Sequence, residues 1–153
     1  NHYEISNFSQ PGDQCRHNLN YWDRGEYYGA GLGAHSFINA ERFHNTDDLE
    51  EYLELISENR SPVKGSESIT EDMALSEAIF LGLRKTGGIN VEAFSKRYHK
   101  NILSCYQKEI DDLMTAGLIE VTSSDCSNET TLKLTRKGLV LSNEVFIKFI
   151  QLS

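Results

Sequence analysis

From residue 68 to the end of the chain, apolar side chains recur at the spacings that regular structure imposes. Ser68-x-x-Glu71 has the form of a capping box, in which two side chains satisfy free backbone N–H groups at a helix start. The helix it predicts carries Met73, Ala74, Phe80, Leu81 and Leu83, and stops at Thr86-Gly87-Gly88, where glycine can take the left-handed cap. Asn90 can cap a short helix with Val91, Phe94 and Tyr98. A longer helix is predicted next, with Ile102, Tyr106, Ile110, Leu113 and Met114 on one face and Gly117 at its end. Residues 118–122 and 131–135 then alternate apolar and polar, and the polar stretch 123–130 between them predicts a flexible hairpin tip. A final helix from about Gly138 would bury Leu141, Val145, Phe146 and Phe149. Three helices, a two-stranded hairpin and a helix make the order of a winged-helix module.

The first half is less regular. Residues 1–45 read as loops and short strands, with a turn at Pro11-Gly12. Residues 47–58 predict a helix capped by Thr46 or Asp47, with Leu49, Tyr52, Leu53 and Ile56 as its apolar face. Residues 59–68, with Pro62 and Gly65, read as a linker, and the domain boundary is expected there.

The chain has 153 residues, 39% hydrophobic and 25% charged, and a net charge of −8. Residues 1–69 hold 12 acidic against 5 basic side chains, so most of that charge lies in the first half. Nucleic-acid binders carry a basic patch, and the third predicted helix sets Lys100 and Lys108 against Glu109, Asp111 and Asp112. A structural or protein-contact module is favoured over DNA binding. No apolar run approaches the length of a membrane span, and no retained secretion signal is expected. Cys15, Cys105 and Cys126 are an odd number, far apart, which fits a reducing, cytoplasmic setting. The opening residues are rich in aromatics and glycine without an amphipathic element, as expected of a piece of a longer protein.

Two segments could carry chemistry. Arg16-His17-Asn18-Leu19-Asn20-Tyr21-Trp22 sets a histidine beside an amide, two aromatic rings and an arginine. A neutral imidazole is a good axial ligand for heme iron, Tyr21 and Trp22 could stack on a macrocycle, and Arg16 could pair with a carboxylate. The plainer reading makes Tyr21 and Trp22 core aromatics and His17 a satisfied polar residue. The CxxCH attachment motif is absent, so any heme would be non-covalent. Gly29-x-Gly31-x-x-Ala34 matches a dinucleotide fingerprint only superficially, because the residues after it do not open an amphipathic helix. A glycine turn that lets backbone approach a ligand is preferred, with His35 and Ser36 at its edge; a tight turn without ligand is the plainer alternative. His2, His44 and His99 lack partners at metal-ligand spacing, and Cys15-x-His17 supplies only two ligands.

These strings carry a family resemblance. Tyr3-Glu4-Ile5-Ser6-Asn7-Phe8, Pro11-Gly12, Arg16-His17-Asn18-x-x-Tyr21-Trp22 and Gly25-x-Tyr27-x-Gly29-x-Gly31-x-Gly33-Ala34-His35-Ser36 closely resemble the later part of radical SAM proteins of the oxygen-independent coproporphyrinogen III oxidase family. Within it the pattern is similar to the branch of heme chaperones. The resemblance implies an α+β fold: a winged-helix-like C-terminal domain of helices and a two-stranded β-hairpin, preceded by the tail of a truncated radical SAM β/α barrel. Residues 1–45 would end the barrel, 46–67 would connect, and 68–153 would be the C-terminal domain.

The family's CxxxCxxC cluster motif is absent, so the 4Fe–4S cluster and S-adenosylmethionine are expected only in a full-length parent, and the fragment alone is not expected to be catalytic. The resemblance implies heme binding by His17, as ligand, with Asn18, Tyr21 and Trp22 shaping the pocket. It places Gly31, Gly33, Ala34 and His35 near S-adenosylmethionine or the substrate. The implied functions are heme chaperone, with heme-accepting protein partners, or, alternatively, coproporphyrinogen III oxidase or a non-catalytic interaction module. A cut barrel exposes strand edges, so residues 1–45 are expected to be poorly ordered, rearranged or paired with a second copy.

Overall fold

The computed structural model describes residues 1–124 and 129–150. Two compact units are present: Asn1–Arg24 together with Leu75–Ser153, and Gly25–Ala74 between them in sequence.

In the first unit, β1 (His2–Glu4) and β2 (Asn7–Phe8) form a small antiparallel pair, and α1 spans Arg16–Trp22. This opening segment, expected to be poorly ordered, rearranged or paired with a second copy, makes backbone contacts with residues 84–86. Glu4 bridges Lys85, the Ile5 N–H donates to the Arg84 carbonyl at 3.0 Å, and the Thr86 N–H donates to the Tyr3 carbonyl at 3.1 Å. These bonds pair the backbone of Tyr3 and Ile5 within the chain.

The rest of that unit is α3 (Glu71–Leu83, whose first turn belongs to the other unit), β6 (Ile89–Asn90), α4 (Val91–Tyr98), α5 (Ile102–Cys105), α6 (Gln107–Thr115), β7 (Ile119–Ser124), β8 (Glu129–Leu134), α7 (Arg136–Val140) and α8 (Ser142–Phe146). The hairpin pairs Ile119 with Leu134 through Ser124 with Glu129, and β6 adds a third strand in the order β6-β8-β7. The core is apolar and continuous: Ile79, Leu83, Ile102, Leu132, Val145 and Phe149 are fully buried, and Ile110, Leu113 and Phe94 pack with them. The α+β, winged-helix-like architecture is the one the spacing predicts.

Several details differ from the sequence reading. The cap of α3 is Thr70, whose Oγ1 accepts the Met73 N–H at 3.3 Å; Ser68 instead closes a strand. The longer helix is broken at Tyr106 (φ −123°, ψ 33°), which turns the face of α6 so that Ile110 and Leu113 are buried and Met114 is 44% exposed. The last helix is two short ones, and Leu141 lies outside the buried stripe. The centre of the predicted hairpin tip, with Cys126, lies outside the described residues.

The second unit holds β3 (His35–Ile38), β4 (Glu41–Asn45), α2 (Leu49–Ser57) and β5 (Val63–Ser68), with the three strands antiparallel in that order. Asn39 and Ala40, both at positive φ, form the two-residue turn between β3 and β4. Residues 63–68 are therefore a strand, not a linker. The stretch is polar and largely exposed, and without apolar alternation its pairing with β4 leaves no mark in the sequence. The cap of α2 is Asp48, which accepts the Glu51 N–H at 2.9 Å. The apolar stripe of α2 points outward: Leu49 and Leu53 are 57% and 58% exposed. Among the described residues no helix is long and apolar enough to cross a membrane.

Candidate functional site

Helix α1 presents its motif residues in two adjacent stripes. His17 and Tyr21 are four apart, as are Asn18 and Trp22, so each pair shares a face. The His17 imidazole meets the Tyr21 ring edge-on, with centroids 4.7 Å apart. His17 is solvent-exposed, whereas Asn18, Tyr21 and Trp22 are half-buried. No hydrogen bond or ion pair to the described residues engages the His17 ring nitrogens, so a lone pair is available to an incoming metal.

The end of α1 is held by cations from distant segments. Arg97 donates to the carbonyls of Asp23 (2.7 Å) and Arg24 (3.1 Å), where positive charge suits the helix dipole. Lys85 pairs with Asp23, and the Arg24 Nε donates to Glu77 at 2.9 Å. The Arg84 guanidinium lies over the Trp22 ring, 4.3 Å from its centroid. None of these partners was legible in the motif, because they lie more than fifty residues downstream. Trp22 also lines a cleft of about 190 Å³ with Ala78, Gly82, Ile89, Phe94 and Lys85. The indole Nε1–H is buried without a hydrogen-bond partner among the described residues.

The glycine segment belongs to the other unit. Gly31 (φ +112°) and Gly33 (φ +64°) take conformations that side chains rarely adopt. A side chain on Gly29 would run into the His35 carbonyl oxygen, at 2.1 Å from its Cβ. The loop is fastened by Asn45 Nδ2 to the Gly31 carbonyl (2.7 Å), the Gly33 N–H to the Thr46 carbonyl (2.8 Å) and the Asn45 N–H to the Ala34 carbonyl (2.9 Å). The Gly29 N–H donates to Ser36 Oγ at 3.0 Å. His35 is exposed and stacks across the strands on His44, with centroids 5.3 Å apart. Among the described residues, no three histidine, cysteine or acidic side chains converge as a metal site.

Residues 69–141 match the family model described as the HemN C-terminal domain. The "Heme chaperone HemW" of Bacillus subtilis is 36% identical over 148 residues, 97% of this chain and 38% of the relative. The protein of that name from Lactococcus lactis is 33% identical over 150 residues, 98% of this chain and 38% of the relative. Among solved structures, the radical SAM enzyme coproporphyrinogen III oxidase (HemN) of Escherichia coli aligns with a TM-score of 0.70 at 14% identity. That alignment covers 96% of this chain and 37% of the other, and it establishes the fold alone. Residues 69–141 thus belong to the HemN C-terminal domain family, and the chain spans about two fifths of the length of these curated relatives.

Proposed function

We propose that this chain is the heme-contacting part of a heme chaperone. His17 is the axial ligand to the iron of the cargo, Tyr21 holds the imidazole edge-on, and Asn18 and Trp22 border the porphyrin. The observation that carries this is the exposed His17 imidazole, free of hydrogen bonds to the described residues, on a helix whose end is fixed by Arg97, Lys85 and Arg24. A ligand that is already oriented loses less freedom on binding. The relatives that span nearly all of this chain are named heme chaperones, which supports this reading over the oxidase one.

The site's shallowness fits transport. Pockets that enclose a small molecule run to roughly 300–1,000 Å³, and the cleft beside Trp22 is smaller, at about 190 Å³. Heme held at the His17 surface would stay within reach of a heme-accepting partner protein in the cytoplasm. The glycine loop serves the longer protein: Gly31, Gly33, Ala34 and His35 border S-adenosylmethionine or the substrate there. The sequence holds no CxxxCxxC motif, so this chain's three cysteines do not fit a 4Fe–4S cluster and no radical step is assigned to its residues.

The test is a heme titration followed by absorbance on this chain and on His17→Ala. A stoichiometric Soret shift in the wild type, weakened at least about tenfold in the variant, is the expected result. An equal shift in both would remove His17 as the ligand.

A further inference from the structure

We infer that Arg84 is the positioning residue of the motif tryptophan, and that the buried carboxylate of Glu4 holds Arg84 in place. The functional consequence rests on the heme reading above.

Three segments meet here. The backbone of residues 3–5 is zipped to that of residues 84–86, and Thr86 Oγ1 adds a bond to the His2 carbonyl at 2.7 Å. This zipper makes Glu4 and Arg84 neighbours. The Glu4 side chain is fully buried, and its Oε1 accepts from the Ser6 N–H at 3.0 Å and from Asn7 Nδ2. Its Oε2 has no hydrogen-bond partner among the described residues and faces Arg84 Nη2 at 3.9 Å. A buried carboxylate needs a compensating cation close by, and Arg84 is the cation at that oxygen. The same guanidinium lies 4.3 Å from the centre of the Trp22 ring.

A planar guanidinium can stack on an aromatic face while its edge meets a carboxylate; an ammonium cannot do both. Arg84 therefore carries the rigidity of the Tyr3–Ile5 zipper to the indole. Trp22 is half-buried, and its Nε1–H finds no partner among the described residues, so its own hydrogen bonding does not fix the ring. The guanidinium stack supplies an orientation that a local helix would not.

Trp22 is the sole tryptophan of the chain, so its fluorescence reads this contact directly. The experiment compares wild type, Arg84→Lys, Arg84→Met, Glu4→Gln and Glu4→Gln/Arg84→Met on the 153-residue chain. Tryptophan emission, heme affinity from the Soret titration, and far-ultraviolet dichroism as a fold check are recorded for each. We expect shifted emission and about tenfold weaker heme binding in Arg84→Met with the dichroism unchanged. Arg84→Lys should rescue neither, because the charge without the plane is insufficient. Glu4→Gln should shift both in the same direction, and the double variant should be no worse than Arg84→Met alone, as expected if Glu4 acts through Arg84. Unchanged emission in Arg84→Lys overturns the proposal, and this variant decides should Arg84→Met fail to fold. A wild-type chain without a Soret shift overturns the heme reading by itself, while the emission series still decides whether Arg84 positions Trp22.

Discussion

The Glu92 carboxylate, in the first turn of α4, accepts the backbone N–H of Thr130 at 2.9 Å. This bond, together with Glu92's own backbone N–H, lowers the Glu92 pKa from its ordinary value. A lowered folded-state pKa contributes stability above the unfolded value, and that contribution is lost as pH falls through the folded one. Glu92→Gln should therefore show a small drop in unfolding midpoint at neutral pH, read by thermal dichroism. The gap to wild type should shrink as pH falls through the lowered folded-state pKa of Glu92, below which both side chains are neutral acceptors. A gap that persists there would mean the charge is not the source. Glu92 also shows what single residues in the sequence could reveal. The helix that carries Glu92 was legible from its Asn90 cap, because capping is a local signal. The Glu92 partner Thr130 was not, since that bond crosses 38 positions. The same contrast separates His17 and Tyr21, which the sequence showed as members of one short motif although it read that segment as loop rather than as the helix α1, from Arg84 and Arg97, which reach α1 only through the fold.

Among the elements, the junction of α6, the hairpin and α7 is the most tightly specified. Thr135 Oγ1 accepts the Gly138 N–H at 3.0 Å, capping α7, and donates to the Gly117 carbonyl at 2.7 Å. Lys137 Nζ reaches the Ala116 carbonyl at 2.8 Å. One threonine thus ties the end of α6 to the start of α7, and Gly138 lets the two backbones close. A Cβ at Gly138 would stand 1.8 Å from the Leu118 carbonyl oxygen. No rotamer relieves a clash between Cβ and backbone, so Gly138→Ala should destabilise by about 3 kcal/mol, the upper part of the range for overpacking, measured by urea unfolding. A loss under about 1 kcal/mol would show that the junction can open. Elements with strong local patterns were legible here: α4 with its Asn90 cap and the alternating hairpin. Those held by pairing alone were not. β6 has two residues and β5 is polar throughout most of its length, so neither interrupts the sequence with a period.

For the whole molecule, charge decides between partners that the winged-helix order alone would leave equal. Such modules commonly place a recognition helix in the major groove, and affinity comes from lysines and arginines on phosphates. Here α6 carries Lys108 beside Glu109, Asp111 and Asp112, and the chain as a whole is at −8. A polyanion approaching that surface meets repulsion over a Debye length and finds few lysines and arginines to displace its own condensed counterions. Low salt makes non-specific DNA binding strongest, so it is the severest condition for this argument. At about 50 mM salt a duplex should show no mobility shift with this chain, in an assay where a basic winged-helix protein retards it. A shift that weakens steeply with added salt would reveal a cationic stripe assembled elsewhere and would reopen nucleic acid as a partner. A flat result at all salts is the outcome that the net charge of −8 and the acidic face of α6 lead us to expect.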